Sequence, residues 1–319
     1  MKIETIKQRK EILQTIRNFY DTLEYLEVET PLISPTLIPE SNIEIFETTH
    51  IHPFKADKKG YLIPSPEVWL KQFISQNHIN VYEISKCFRN SEQSGKHHNP
   101  EFSMIEYYTM GFSHLDTLNL TIQLLEYINS KLPYSKLSKK SEILSMNQAF
   151  INYAGFSLED NYTIDKLHKR AVELGISISD DDDWETAFNR IFLDKVEPNL
   201  PNNVNLFLTD FPSNIKTLAK KIPNTPWAER WELYINGIEC GNCYSEERDP
   251  QVVKDFFNEE SEMKEKSRIQ HKVDSNYYTI FKDFPKCSGG AIGLDRLIMG
   301  ILGIDEIEGV ILFPYRDNI

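Results

Sequence analysis

The sequence of 319 residues has few cysteines, no excess of positive charge and no long apolar run. Its four cysteines, Cys87, Cys240, Cys243 and Cys287, are too few for a disulfide framework in a chain of this length, which predicts a reducing compartment such as the cytoplasm. No stretch approaches the roughly 18–20 uncharged apolar residues that a membrane helix needs, so we expect no membrane partner. Lysine and arginine number 35 against 48 aspartates and glutamates, and this acidic balance argues against a broad nucleic-acid-binding surface.

The usual nucleotide-binding and zinc-binding fingerprints are missing as well. There is no GxxxxGK loop, no GxGxxG turn after a strand and no HExxH helix. The CxxC motif of Cys240 and Cys243 has no second cysteine pair to complete a zinc site. The Gly-Gly-Ala-Ile-Gly segment at 289–293 lies in an apolar strand pattern and indicates close backbone packing. A nucleotide bound by this chain would therefore be held by arginines and a metal ion.

The order of predicted helices and strands favours an α+β fold over a regular βαβ alternation. An amphipathic helix over 5–26 precedes a strand at 28–33, and further strands are predicted at 81–88, 102–108, 206–209, 231–236 and 238–244. A strand at 289–294 leads into a helix at 295–302. The segment from about 113 to 200 is mostly helical, and no linker divides the chain. We therefore expect a single domain over 1–319 with a helical insertion.

Two arginines stand where they would hold phosphate groups. Arg89 follows the predicted strand 81–88 at the start of a polar loop, and Arg296 lies in the first turn of the helix after the glycine-rich strand. An arginine fork makes bidentate contacts to phosphate that lysine cannot reproduce. A structural role is the alternative for each of them, and it is the commoner one for a lone arginine beside a strand.

Acidic residues form a second set of candidates. Glu232 and Glu239 flank Asn236-Gly237, a type I′ turn signal that predicts a hairpin. Neighbouring antiparallel strands would bring both carboxylates to one Mg²⁺ bound to ATP phosphates, although two surface acids are the alternative. Three further acids stand in otherwise apolar or small-residue surroundings, namely Glu67, Glu106 and Glu246. Buried carboxylates need a cation partner, so a cluster of them favours a ligand with an ammonium group.

Three segments together resemble the motifs of class II lysyl-tRNA synthetases and their paralogues. Residues 87–108, with His-Asn-Pro-Glu-Phe at 98–102, resemble motif 2, and the Gly-Gly-Ala-Ile-Gly-Leu-Asp-Arg-Leu of 289–297 resembles motif 3. The Leu-Glu-Val-Glu-Thr-Pro-Leu of 26–32 resembles motif 1, the dimerisation strand. A lysyl-tRNA synthetase carries an N-terminal anticodon-binding domain, whereas the motif 1 helix begins here within the first ten residues. The chain is therefore identified as a member of the stand-alone paralogues, the elongation factor P–(R)-β-lysine ligase family.

The resemblance implies a class II synthetase-like antiparallel sheet flanked by helices, ATP and Mg²⁺ as cofactors, and a homodimer. It implies that lysine or (R)-β-lysine is activated to an aminoacyl-adenylate and transferred to a lysine side chain of elongation factor P. Transfer RNA is then not the acceptor. Two alternatives stay open: a truncated lysyl-tRNA synthetase that acylates tRNA, and a non-catalytic regulatory paralogue.

The resemblance also implies roles for individual residues. Arg89 and Arg296 are the catalytic arginines, the first on the α-phosphate and the substrate carboxylate, the second on the γ-phosphate. The metal-binding acids are Glu232 and Glu239. The other ATP-binding positions are Glu92, His98 near the outer phosphates, Asn99, Phe102 stacked on adenine, and Gly293. The lysine pocket consists of Ser65, Glu67, Glu106, Tyr108, Gly241, Asn242, Tyr244 and Glu246.

Three positions depart from the family pattern. The loop at 89–92 reads Arg-Asn-Ser-Glu and is one residue longer than the Arg-Asn-Glu of the family. Cys243 stands in place of a glycine. Gly241 stands where the ligases tend to have alanine and the synthetases glycine, and the missing methyl group would admit α-lysine as well as β-lysine. One methyl group is worth ~1–3 kcal/mol of discrimination.

Overall fold

The computed structural model describes residues 2–91 and 95–315, so that Glu92 lies outside the described residues. The strands are β1 (Leu26–Glu27), β2 (Ile33–Ser34), β3 (Phe46–His50), β4 (Lys58–Leu62), β5 (Val81–Phe88), β6 (Glu101–Met110), β7 (Ser141–Ser145), β8 (Asn205–Pro212), β9 (Trp227–Ile235), β10 (Ile238–Ser245) and β11 (Cys287–Gly293). The helices are α1 (Ile3–Thr22), α2 (Glu67–Asn77), α3 (His114–Lys131), α4 (Met146–Tyr153), α5 (Ile164–Glu173), α6 (Trp184–Ile191), α7 (Pro250–Lys264) and α8 (Leu294–Leu302). A π-helical turn, Phe192–Val196, continues α6, and short 3₁₀ segments lie at Glu159–Asn161, Glu197–Asn199, Tyr277–Asp283 and Ile307–Gly309.

Eight strands form the main sheet in the order β1-β5-β6-β11-β10-β9-β8-β7. The six central strands pair antiparallel, and the two edge pairs, β1–β5 and β7–β8, are parallel. Apolar side chains of α1, α3 and α8 pack in one core on this sheet. The α+β class with an antiparallel sheet flanked by helices is therefore confirmed. No helix in the described part of the chain is long and apolar enough to cross a membrane.

Two further cores surround the main sheet. Helices α4, α5 and α6 pack against β8 and β9, while a small sheet of order β2-β4-β3 lies beside the core that contains α2 and α7. The segment 113–200 holds α3 to α6, as expected of a mostly helical stretch, but β7 within it joins the main sheet. Its description as an insertion into a single domain stays a prediction.

The predicted strand at 28–33 is wrong. β1 ends at Glu27 and β2 begins at Ile33, in a different sheet. Pro31 lies between them and has no N–H to donate to a ladder. The linking segment is held instead by the Glu83 side chain, which accepts the Thr30 N–H at 3.0 Å.

The hairpin of β9 and β10 has the predicted turn. Asn236 and Gly237 have φ values of 53° and 74°, the left-handed conformation that both central residues of a type I′ turn need. This turn fixes the strands that carry Glu232 and Glu239.

Candidate active site

One face of the main sheet carries most of the predicted site residues in two rows across four strands. One row consists of Glu232 on β9, Asn242 on β10, Ala291 on β11 and Glu106 on β6. The next row consists of Arg230, Tyr244, Gly289 and Tyr108 on the same strands. Residues directly opposite one another share a face of a sheet, so these side chains line one surface.

A β-bulge brings Glu239 onto this surface. Glu239 is opposite Tyr234, whereas Asn242 is opposite Glu232, so the pairing shifts by one residue between them. In a regular strand, residues 239 and 242 would point to opposite faces, because side chains alternate. The extra residue of the bulge removes this mismatch. Glu239 and Asn242 therefore line the same cleft, although they are three residues apart in one strand.

Small residues on β11 leave room above the sheet. The positions of this strand that face the site are Gly289, Ala291 and Gly293. A Cβ atom at Gly289 would lie 2.5 Å from Cε1 of Tyr108 and 2.7 Å from Oε1 of Glu246. The close packing predicted for the glycine-rich strand is thus the floor of a cavity.

A cleft of about 800 Å³, counting its open mouth, brings Arg89 and Arg296 together. The predicted ATP-binding residues that line it are Arg89, His98, Asn99, Phe102, Glu239, Gly293 and Arg296. Arg89 follows β5 and lies over the Phe102 ring, with its guanidinium carbon 5.3 Å from the ring centroid. Arg296 begins α8 and donates to the carbonyl oxygens of His97 at 3.1 Å and Glu239 at 2.9 Å.

Three other predicted site residues differ in where they lie relative to this cleft and in what they contact. Asn99 is buried, and its side-chain oxygen accepts the Tyr315 N–H at 2.8 Å, so its amide holds the C-terminal segment. Gly241, predicted for the lysine pocket, lines this cleft instead. Glu232 does not line the cleft.

The two predicted metal ligands are near each other, but Glu232 already has partners. Its carboxylate pairs with Nη2 of Arg230 at 2.7 Å and accepts the Tyr234 hydroxyl at 3.0 Å. Burial raises the pKa of Glu232 to about 7, and the charge of Glu239 adds to the rise. Within the described residues, no three or more His, Cys, Asp or Glu side chains are grouped to hold a metal. Two carboxylates of this kind fit Mg²⁺, which takes one or two carboxylates and completes its shell with phosphate oxygens.

A second cavity of about 1000 Å³, counting its mouth, adjoins the cleft that contains the two arginines. The two have four wall residues in common, namely Arg89, Met104, Asn242 and Ala291. The predicted lysine-pocket residues that line the second cavity are Ser65, Glu67, Glu106, Tyr108, Asn242, Tyr244 and Glu246. We call this second space the acidic cavity.

A buried cation that the sequence analysis missed pairs with two of the acids that line the acidic cavity. Lys71 on α2 has no exposed side-chain surface, and its Nζ lies 2.5 Å from Glu67 and 2.9 Å from Glu246. Burial lowers the pKa of Lys71, but the charges of Glu246 and Glu67 outweigh this and raise it above its ordinary value. Tyr244 donates its hydroxyl to Glu67 at 3.0 Å. Lys71 therefore stays charged and balances one of the two carboxylates.

Burial raises the pKa of two acids in the wall of the acidic cavity, Glu106 and Glu246. Glu106 accepts hydrogen bonds from Ser65 and, at 2.9 Å, from Tyr108. Burial raises its pKa to about 8, and the charge of Glu67 contributes. Burial also raises the pKa of Glu246 to about 7, although Lys71 opposes the rise. We call Glu67, Glu106 and Glu246 the inner acids; together with Lys71 they leave a formal charge of two negatives, which two ammonium groups would neutralise.

Arg230 is the second cation that sequence reasoning missed. Its Nε donates to the Asn242 side chain at 3.0 Å while its Nη2 pairs with Glu232. The signals were present in the spacing: Lys71 is four residues after Glu67 on a helix, and Arg230 is two residues before Glu232 on a strand. Such pairs are usually exposed, so spacing alone did not mark them.

Comparison with known proteins places this geometry in a family. A family model described as tRNA synthetases class II (D, K and N) matches residues 2–317. The elongation factor P–(R)-β-lysine ligase of Vibrio atlanticus is 34% identical over 98% of this chain and 96% of that protein. That of Vibrio cholerae is 32% identical over the same shares. The lysine–tRNA ligase of Buchnera aphidicola is 33% identical over 97% of this chain and 63% of its own length.

The full-length similarity agrees with the two adjoining cavities and with the three motifs. The chain belongs to the class II tRNA synthetase family of the D, K and N type and, within it, to the elongation factor P–(R)-β-lysine ligases.

Proposed function

We propose that this chain is an ATP-dependent, AMP-forming ligase that activates lysine or (R)-β-lysine and transfers it to a lysine side chain of elongation factor P. The observation that carries the proposal is the junction of the two cavities. A cleft with two arginines adjoins a cavity whose inner acids, balanced in part by Lys71, suit a diamino acid, and Arg89 lines both.

In the first half-reaction, the donor carboxylate attacks the α-phosphate of ATP in line and pyrophosphate leaves. Arg89, at the junction, would hold the carboxylate and the α-phosphate together, and Arg296 would hold the γ-phosphate. Charge grows on the phosphate oxygens in the transition state, so preorganised guanidinium groups lower the barrier. Mg²⁺ held by Glu232 and Glu239 supplies further charge neutralisation when bound. The Phe102 ring would stack on adenine, and the Arg89 guanidinium group already lies over this ring.

The buried carboxylates of the acidic cavity would select a donor that carries two ammonium groups. Glu106 has no cation of its own among the described residues, and Lys71 balances one of Glu67 and Glu246. Two ammonium groups would restore the ordinary ionisation of these acids, while a neutral amino acid would leave them buried and unpaired.

The acceptor and the assembly are the finer parts of the proposal. Elongation factor P is inferred as acceptor from the names of relatives that this chain matches along 96% of their length. We infer a homodimer because apolar side chains of the motif 1 region are exposed, namely Leu26, Leu32 and Ile33. A cytoplasmic location is inferred because all four cysteines are free thiols.

An acceptor competition tests this function. Purified protein receives ATP and radiolabelled α-lysine or (R)-β-lysine, together with equal amounts of elongation factor P and total tRNA. We expect label in elongation factor P. Label in tRNA alone would support the truncated synthetase, and an absence of diamino-acid-dependent ATP–pyrophosphate exchange would support the non-catalytic paralogue.

Glu106→Gln tests the donor pocket. The substitution removes the charge that faces the donor ammonium, and we expect the KM for the donor in ATP–pyrophosphate exchange to rise by about 100-fold, or ~3 kcal/mol. ATP affinity should stay within about twofold. Glu101→Gln is the matched control, because Glu101 is on the same strand with an exposed side chain paired to Lys86. Equal donor KM values in the two variants would remove Glu106 from the pocket.

A further inference from the structure

Two acids that line the acidic cavity have no role in the mechanism above. Glu40 precedes β3, and Glu260 is on α7; both line the cavity. Glu260 is 4% exposed, and one of its oxygens accepts the Ser41 N–H at 2.8 Å. Its other oxygen is buried without a hydrogen-bond partner in the described part of the chain. A carboxylate oxygen left this way in a cavity wall marks a place for a donor group from a ligand.

Glu40 is half-buried and faces several charges. Burial raises its pKa to about 7, with Glu67 and Glu260 raising it further and Arg89 and Lys71 lowering it. Lys264, whose Nζ donates to the Ile43 carbonyl, is the other cation near this pair. Lys71 is committed to the inner acids, and no ion pair of Glu40 or Glu260 is present among residues 2–91 and 95–315. The pair therefore has capacity for an added cation.

The position of Glu40 and Glu260 in the cavity indicates which ligand cation they would bind. Asn42 and Lys216 are exposed and line the same cavity, so the cavity opens to solvent beside Glu40. The inner acids already match the two ammonium groups of the donor. A long amine side chain carried by a macromolecule has to enter from solvent and reach Arg89, where the activated carboxylate would lie. A side chain that enters beside Asn42 would pass Glu40 before it reaches Arg89.

We propose that Glu40 and Glu260 form the acceptor subsite, which binds the ammonium group of the incoming lysine side chain and, through Glu40, takes its proton. This inference rests on the proposed function. The ammonium group gives one proton to the Glu40 carboxylate. The free amine then attacks the acyl carbon, the C–N bond forms, and the C–O bond to AMP breaks. The second amine proton leaves on the AMP phosphate, and Glu40 returns its proton to water.

The pH range of this step follows from the two groups. A lysine amine with a pKa near 10.4 is almost fully charged at pH 7, so a base that removes its proton matters most there. Glu40 ionises around neutral pH, so it is competent as a base above about pH 7. As the pH rises towards 9, the free amine becomes more abundant and the need for Glu40 declines.

The test separates the two half-reactions in Glu40→Gln and Glu260→Gln, with Glu262→Gln on the exposed side of α7 as the matched control. The adenylate is formed first with excess ATP and donor, and transfer is then followed in a single turnover to elongation factor P, to n-butylamine or to hydroxylamine. We expect transfer to both cationic amines at pH 7 to fall by about 100-fold in Glu40→Gln and at least tenfold in Glu260→Gln. The defect should shrink at pH 9. Hydroxylamine is uncharged near pH 7, so its reaction should be unchanged.

Each other result has a distinct meaning. If the donor KM in ATP–pyrophosphate exchange rises while transfer from the bound adenylate is unchanged, the pair serves the donor and the acceptor subsite is overturned. An equal loss with hydroxylamine and with the amines would also overturn it, because the adenylate itself would be misplaced. If the parent protein modifies n-butylamine with the Glu40 dependence but not elongation factor P, the subsite stands and the proposed acceptor falls.

Discussion

At the scale of single residues, Lys71 sets the electrostatics of the acidic cavity. In Lys71→Met, Glu67 and Glu246 lose their cation, and breaking a buried pair costs roughly 3–5 kcal/mol. We expect the free energy of unfolding at pH 7, measured by urea denaturation, to fall by that amount. Lys59→Met is the control, because the pair of Lys59 with Glu47 is exposed and such pairs contribute little to stability. Equal losses in the two variants would contradict the role of Lys71.

Gly241 offers a second test at this scale. A Cβ atom there would lie 3.0 Å from Cγ1 of Ile292 in the core and 3.1 Å from the carbonyl oxygen of Ala291, and it would therefore press on a residue that lines both cavities. We therefore expect Gly241→Ala to alter the ratio of kcat/KM for α-lysine and (R)-β-lysine in ATP–pyrophosphate exchange by about tenfold, in favour of (R)-β-lysine. A ratio that stays the same would show that this methyl group does not select the donor.

Residue chemistry predicted part of this site and missed part of it. The acids were recognisable because isolated carboxylates stood in apolar surroundings. Lys71 and Arg230 were not, since a lysine four residues after a glutamate on a helix is typical of an exposed pair. Their burial depends on which face of α2 and β9 packs inward, and that is decided by distant parts of the chain.

At the scale of secondary-structure elements, the bulge in β10 is what sequence alternation could not predict. The strand bounds were close, because β5 and the β9–β10 hairpin follow apolar alternation and a strong turn signal. The bulge adds one residue between Glu239 and Gly241 without a proline or a charge to mark it. The predicted strand at 28–33 is wrong because the chain leaves the main sheet after Glu27 and joins the small sheet at Ile33, with Pro31 between them.

A buried ion pair fixes the start of helix α8 to helix α1. Asp295 in its first turn is 2% exposed, accepts the Ser103 N–H at 2.7 Å and pairs with Nη1 of Arg9 on α1 at 2.7 Å. Arg9→Met would leave this buried carboxylate without its cation, at a cost of about 3–5 kcal/mol in the free energy of unfolding. Arg296 follows directly in the chain, so we also expect the KM for ATP to rise.

The measurements are urea denaturation and ATP-dependent exchange, with Arg17→Met as the control. Arg17 is on the same helix and pairs with Glu27 at the surface. If both arginine variants unfold at the same urea concentration, the ion pair between α1 and α8 does not stabilise the fold.

At the scale of the whole molecule, the buried acids make stability depend on pH. Burial raises the pKa of Glu106 to about 8 and those of Glu232 and Glu246 to about 7, whereas an unfolded glutamate titrates near 4.3. The folded state therefore binds more protons than the unfolded state in this range, and the free energy of unfolding decreases as the pH rises. His114 and His271 have lowered pKa values and act in the opposite direction below about pH 6.5.

We expect the melting temperature of the ligand-free protein to fall between pH 6.5 and pH 8. Saturating donor should reduce this fall, because its ammonium groups favour the ionised acids. Titration calorimetry at pH 7 in buffers of different ionisation enthalpy should show proton release on donor binding. A melting temperature that rises over this range, or proton uptake, would contradict the assignment of these acids.

The common wall of Arg89, Met104, Asn242 and Ala291 has a pharmacological consequence. A compound that joins an adenosine to a diamino acid through an unreactive bridge would fill both cavities. It would lose translational and rotational entropy on binding once, whereas two separate ligands lose it twice. Trimming either half of such an inhibitor should weaken it by far more than the contacts of the missing half alone.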